Sequence, residues 1–167
     1  GFDIAVSTYP SDQIGGDYID VIQAEDGSCY LAIGDVSGHG LDAALVMAMT
    51  RAYVRSFAAL GLDVGEILTR ANQVLVADLP ENRFVTLLLS RLDPRRKTLE
   101  CASAGHPPGF LLNRTGDTEA VIDSTGLPLG LFSEAVFSTR TFLLERGHTV
   151  VLCTDGEATR FDPPAGL

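Results

Sequence analysis

The sequence predicts an α+β domain built on antiparallel sheets. Three features carry this: short alternating apolar segments around turn residues at the start, two successive helical periodicities in the middle, and a series of short strand-like segments after them. Strands, then helices, then strands lack the regular βαβ alternation of a parallel sheet. A chain of 167 residues fits one domain, which on folding buries about 70% of the surface its unfolded form exposes.

Each element has a local reason. Phe2–Ser7 predicts a short strand. Tyr18–Ala24 and Cys29–Gly34 predict two more, joined by Glu25-Asp26-Gly27-Ser28, a hairpin-type turn. Leu41–Leu60 predicts a helix, with Leu45, Ala48, Met49, Ala52 and Tyr53 at helical spacing. Its first half is apolar almost all round, which predicts deep burial. A second helix opens at Asp63, with Glu66 as capping-box partner; Ile67, Leu68, Ala71, Val74 and Leu75 form its stripe and Pro80 ends it. Phe84–Leu92 and Thr98–Ser103 flank the turn Asp93-Pro94-Arg95-Arg96-Lys97. Gly109–Asn113, Glu119–Ile122, Phe137–Leu143 and Thr149–Cys153 complete the predicted strands.

The charge is lopsided. Acids outnumber Lys and Arg by 22 to 12, a net charge of −10. The first 50 residues hold no Lys or Arg but carry eight acids: Asp3, Asp12, Asp17, Asp20, Glu25, Asp26, Asp35 and Asp42. This balance excludes nucleic-acid binding through a basic patch. Cys29, Cys101 and Cys153 lie far apart in apolar runs and form no CxxC, so they read as buried small hydrophobes in a reducing compartment. Gly1–Ser11 lacks the features of a signal peptide, and the longest apolar run, Ala43 to Met49, is far short of the roughly 20 residues of a membrane span. The expectation is a cytoplasmic domain without direct membrane contact.

Three acids sit where predicted strands give way to turns. Asp17 lies in Gly15-Gly16-Asp17-Tyr18-Ile19-Asp20, Asp35 in Gly34-Asp35-Val36-Ser37-Gly38-His39-Gly40, and Asp155 in Cys153-Thr154-Asp155-Gly156. If the hairpin turn centres near Asp26, antiparallel partners sum to about 52 and Asp17 faces Asp35; a slip of one residue would put Asp20 or a neighbour there instead. Directly opposed like charges are destabilising. A hard divalent cation, which takes carboxylate and backbone carbonyl oxygens, is the economical remedy. Gly38 and Gly40 allow a tight turn that presents a carbonyl, such as that of Val36. Two metals bridged by a carboxylate suggest attack of a metal-activated water on a phosphoester. Ser37 lacks the strand–GxSxG–helix context of a nucleophile elbow.

Gly-Gly-Asp-Tyr-Ile-Asp at 15–20, Asp-Val-Ser-Gly-His-Gly at 35–40, Ala-Gly-His-Pro-Pro at 104–108, Pro-Leu-Gly at 128–130 and Thr-Asp-Gly-Glu at 154–157 occur in an order and spacing that resemble the PPM/PP2C-type metal-dependent Ser/Thr phosphatases, in the bacterial branch typified by SpoIIE and RsbU. The resemblance implies an α-β-β-α sandwich with two Mn²⁺ or Mg²⁺ ions at one edge. It assigns Asp35 to bridge the ions and the activated water, Asp17 and the Val36 carbonyl to one ion, and Asp155 to the other. It implies a phosphoserine or phosphothreonine substrate on an anti-sigma-factor antagonist, and a sensory or receiver domain N-terminal to this one in a longer chain. His39 does not match the position of the proposed general acid in the eukaryotic branch, where Ser37 stands, and His106 reads as a structural turn residue. The family continues beyond the equivalent of Leu167 with a further Asp ligand. Residues 1–167 are therefore expected to be a single phosphatase domain, excised from a longer chain and truncated at its C-terminus. A catalytically weak docking module and a hydrolase of small phosphoesters are the competing readings. The helices at 41–60 and 63–79 follow the Asp35 turn directly, which makes them the expected route for regulation.

Overall fold

The computed structural model describes residues 2–7, 16–80 and 83–154. In chain order the elements are β1 (Tyr18–Gln23), β2 (Cys29–Val36), α1 (Leu41–Ala58), α2 (Val64–Asp78), β3 (Val85–Asp93), β4 (Thr98–Ala104), β5 (Gly109–Leu112), β6 (Thr118–Ile122), β7 (Arg140–Leu143) and β8 (Thr149–Val151). Among the described residues the strands form a five-stranded sheet, β1-β2-β3-β4-β7, and a three-stranded sheet, β6-β5-β8, with every strand pair antiparallel. The α+β class follows. Phe2–Ser7, expected as a strand, is exposed and unpaired with either sheet.

Two apolar layers hold the fold. Tyr18, Tyr30, Ala32, Val36, Leu87 and Leu89 on one face of the large sheet meet Val46, Val54, Ile67, Leu68 and Leu75 of the helices. Ile33, Leu88, Leu99 and Cys101 on the other face meet Leu111 and Ile122 of the small sheet. Alternate residues of β2 and β3 thus serve opposite layers, as the two-residue strand period requires. Helices, large sheet and small sheet supply three of the four layers of an α-β-β-α sandwich among the described residues.

The β1–β2 hairpin is fixed by its turn. Ala24 N–H donates to Ser28 O at 2.9 Å. Asp26 Oδ1 accepts from both the Ser28 N–H at 2.9 Å and the Ser28 hydroxyl at 2.6 Å. Gly27 adopts φ 85°, where glycine has no steric penalty. These hydrogen bonds from Ser28, backed by Arg91, pull the Asp26 carboxyl down to about 2.

Helix α2 starts as expected: Asp63 is the N-cap, and its Oδ1 accepts from Glu66 N–H at 2.8 Å. The reciprocal half of a capping box is replaced by a pair one turn on, in which Arg70 Nε donates to Glu66 Oε1 at 2.7 Å. Fully buried Asn72 ties the helix to the segment between β6 and β7: its Nδ2 donates to Phe132 O at 2.8 Å and its Oδ1 accepts from Gly130 N–H at 2.9 Å.

Helix α1 faces the core differently from the expected stripe. Its buried residues are Ala43, Val46, Met47, Thr50, Val54 and Ala58. Leu45 is 56% exposed, and Ala48 and Ala52 are also exposed. A helix apolar nearly all round gives periodicity no face to choose; the rotation is set by polar contacts instead. Arg51 and Arg55 reach Asp20 on β1, and buried Thr50 satisfies its hydroxyl on Val46 O at 2.9 Å.

Candidate metal centre

The hairpin register is the one the turn predicts. Tyr18 pairs with Gly34 and Ile19 with Ile33, and Val36 N–H donates to Gly16 O at 3.3 Å. These contacts bracket Asp17 directly opposite Asp35. Asp17 is exposed and Asp35 half-buried, so the pair stands at the mouth of the hairpin, where β2 leaves the sheet for α1. Close backbone approach makes this possible. A Cβ on Gly16 would lie 2.9 Å from Val36 O, and one on Gly34 would lie 2.5 Å from Thr86 O. The Val36 side chain is fully buried in the helix-side layer, while its carbonyl lies beside Gly16, next to Asp17.

The turn beyond Asp35 is firmly held. Ser37 N–H donates to Phe84 O at 2.9 Å, and Ser37 Oγ accepts from Phe84 N–H at 3.0 Å. Gly38 and Gly40 have φ of 92° and 82°, and Gly40 is the N-cap of α1. His39 is exposed. His106, 3% exposed, lies behind the strand: its Nδ1 is 3.2 Å from Thr86 Oγ1, and Thr86 is paired with Asp35.

Two carboxylates and a backbone carbonyl form an all-oxygen donor set, which suits Mg²⁺ or Mn²⁺ and not a thiophilic ion. Gly16 lets the two strands approach here, since an added Cβ would crowd the Val36 Cβ, nitrogen and carbonyl oxygen, each at 2.9 Å. Asp155 lies outside the described residues; β8, the strand that leads toward it, lies in the small sheet beside β5. Among the described residues no group of three or more His, Cys, Asp or Glu side chains is gathered closely enough to hold an ion. Of the candidate donors, the described residues include Asp17, Asp35 and Val36.

The acid-rich first 50 residues are less uncompensated than their sequence implies. Asp20, 8% exposed, receives Arg55 Nε on Oδ2 and Arg55 Nη2 on Oδ1, each at 2.6 Å. Arg51 Nε approaches Oδ2 at 3.2 Å and the Tyr18 hydroxyl donates to it at 3.1 Å. Burial acts to raise the Asp20 carboxyl, but the Arg55 and Tyr18 hydrogen bonds outweigh it and hold the group below its ordinary value. Burial, with the Asp20 charge next, pushes the Tyr18 phenol above its ordinary range. Asp26, 49% exposed, pairs with Arg91 Nη2 at 2.5 Å. The compensating cations come from α1 and β3, so no local motif signals them, although the i, i+4 spacing of Arg51 and Arg55 marks one helical face.

Cys29 and Cys101 are buried and Cys153 is half-buried, and none of the three is in a disulfide among the described residues. Burial pushes the Cys101 thiol up to about 12. No helix among the described residues is long and apolar enough to cross a membrane.

Comparison with known proteins agrees with this architecture. The family model described as stage II sporulation protein E (SpoIIE) matches residues 25–164. Phosphoserine phosphatase RsbU of Bacillus subtilis (strain 168) is 30% identical over 154 residues, covering 92% of this chain and 46% of that protein. The RsbU and RsbW domains of Rv1364c from Mycobacterium tuberculosis superpose with a TM-score of 0.75 at 30% identity, over 84% of this chain and 39% of the other. RsbX in complex with magnesium shares the fold, with a TM-score of 0.71 at 23% identity, over 86% of this chain and 67% of that one. The chain spans less than half the length of the curated relatives it matches. The matched family model spans most of the sequence and includes Asp35 and the turn after it: the chain belongs to the SpoIIE family of PP2C-type phosphatase domains.

Proposed function

We propose that this domain is a metal-dependent protein Ser/Thr phosphatase that hydrolyses phosphoserine or phosphothreonine on an anti-sigma-factor antagonist, within a partner-switching pathway. The observation that carries the reading is the opposition of Asp17 and Asp35 beside the Val36 carbonyl, in a chain similar to the phosphoserine phosphatase RsbU. Bound Mn²⁺ or Mg²⁺, two ions in all, would supply a water of lowered pKa and neutralise phosphate charge. Asp17, Asp35 and Val36 O would hold one ion, and Asp35 would share the second with Asp155. The chain's own part is to hold these oxygens in place: the hairpin register fixes the two carboxylates, and the bonds of Ser37 to Phe84 fix the turn. Similarity to phosphoserine phosphatases favours turnover over a docking module. A regulatory domain elsewhere in the polypeptide and a cytoplasmic location complete the proposal; cysteines outside any disulfide among the described residues suit a reducing compartment.

The test is phosphate release from a phosphorylated antagonist. Activity should require added Mn²⁺ or Mg²⁺ and disappear in Asp35→Asn. Unchanged turnover in that variant rejects the reading. Faster hydrolysis of a nucleotide or sugar phosphate than of the phosphoprotein would reassign the substrate class.

A further inference from the structure

The Asp35–Gly40 turn is gripped by a residue outside the sequence motifs. Arg83 stands between α2 and β3, and its N–H donates to Pro80 O at 3.1 Å. Its Nη1 donates to the Ser37 carbonyl at 2.5 Å. The guanidinium also covers Gly38, where an added Cβ would lie 1.7 Å from Nη1. Phe84, the next residue, takes the other two handles of Ser37, its N–H and its hydroxyl.

The geometry has a direct bearing on Val36. Its carbonyl shares a planar peptide unit with Ser37 N–H and points the opposite way. Anchoring that N–H on Phe84 O turns the Val36 carbonyl away from β3, toward Gly16, the neighbour of Asp17 in the chain. Arg83 fixes the following peptide unit through its carbonyl. Two successive peptide units are thereby locked, one of them carrying the carbonyl donor.

We infer that Arg83 is a positioning residue for the metal edge: by holding the Ser37 carbonyl it keeps the Val36 carbonyl aimed at the ion and so sets divalent-ion affinity. This rests on the metal-dependent reading above. Two effects of Arg83 oppose each other. Its positive charge repels a nearby divalent ion, while its hydrogen bond preserves a ligand. The half-buried guanidinium is partly screened by solvent, whereas a charge-assisted hydrogen bond acts undiminished on the atoms it joins. Preservation of the ligand therefore dominates.

The test is Mn²⁺ titration without substrate, by calorimetry and by the electron-spin resonance of the bound ion, on wild type, Arg83→Met, Arg83→Lys and Asp35→Asn. Arg83→Met keeps the apolar stem but loses the donor, and should weaken Mn²⁺ binding about tenfold. Arg83→Lys restores a charged donor and should recover most of that loss. The metal-free melting temperatures of the two Arg83 variants should stay close to wild type. Mn²⁺ affinity in Arg83→Met equal to or tighter than wild type overturns the inference, as does Arg83→Lys as weak as Arg83→Met. A lowered melting temperature at unchanged affinity also overturns it, leaving Arg83 a purely structural residue. Failure of the underlying reading looks different: Asp35→Asn would then bind Mn²⁺ as the wild type does, or the wild type would bind none, and either result removes the inference as well.

Discussion

Asp20 and Arg55 form a two-pronged ion pair on the helix side of the large sheet, three residues along the chain from the Asp17 that stands opposite Asp35. Alternation along β1 thus separates two acids by role. Asp20 belongs to the packing of α1 on the sheet, and Asp17 to the hairpin mouth.

The Asp20 pair predicts an acid-sensitive contribution to stability. Its carboxyl is held below the ordinary aspartate value in the folded protein. The native state therefore binds the proton less readily than the unfolded chain. The stabilisation is complete above the ordinary value, declines as pH falls through it, and is gone below the depressed one. Asp20→Asn should cost about 2 kcal/mol at neutral pH, because both arginines are half-exposed and recover part of their solvation. Urea unfolding at neutral pH and at pH 3 measures this. A variant whose deficit stays the same at both values sinks the argument.

The Asp17–Asp35 opposition predicts an increase in stability from losing a charge. Without metal, Asp17→Asn should stabilise the protein by about 0.5 kcal/mol, a rise of about 1–2 °C in Tm, by relieving like-charge repulsion across the hairpin. With excess Mn²⁺ the wild type should overtake it, since an ion that binds only the folded state raises Tm. Paired thermal melts with and without Mn²⁺ decide this. A metal-free variant that melts below the wild type contradicts it.

The rotation of α1 predicts which apolar residues matter. Leu45 is 56% exposed and Met47 only 7%. Leu45→Lys should change stability by less than about 0.5 kcal/mol, whereas Met47→Ala should cost about 2–3 kcal/mol through lost burial and the cavity left behind. Chemical denaturation of the two variants is the measurement. The reverse order would mean that α1 packs on its other face.

These cases show where the sequence was legible. The Asp26-Gly27 turn pins the hairpin, and arithmetic along its two strands then pairs Asp17 with Asp35, because strand geometry is local and periodic. Asp63 and Pro80 mark the limits of α2 for the same reason, since caps and breakers act within a turn. What escaped is long-range. Nothing near Asp20 announces Arg51 and Arg55, and nothing in the Ser37 turn announces Arg83. Helix α1 misled because its apolar residues surround it, leaving its orientation to the pairing of its own Arg51 and Arg55 with distant Asp20. Phe2–Ser7 has the composition of a strand but no neighbour among the described residues to pair with.

β1 is a rim strand, joined among the described residues to β2 alone. Amides on such a strand exchange with solvent through local opening, at a free energy below that of global unfolding. Each opening of β1 would carry Asp17 away from Asp35 while β2, β3 and β4 stay paired. An ion shared across the hairpin mouth would therefore act as a latch on the rim. Its residence time and the deuterium protection of Tyr18–Gln23 would rise and fall together, although the ion touches none of those amides.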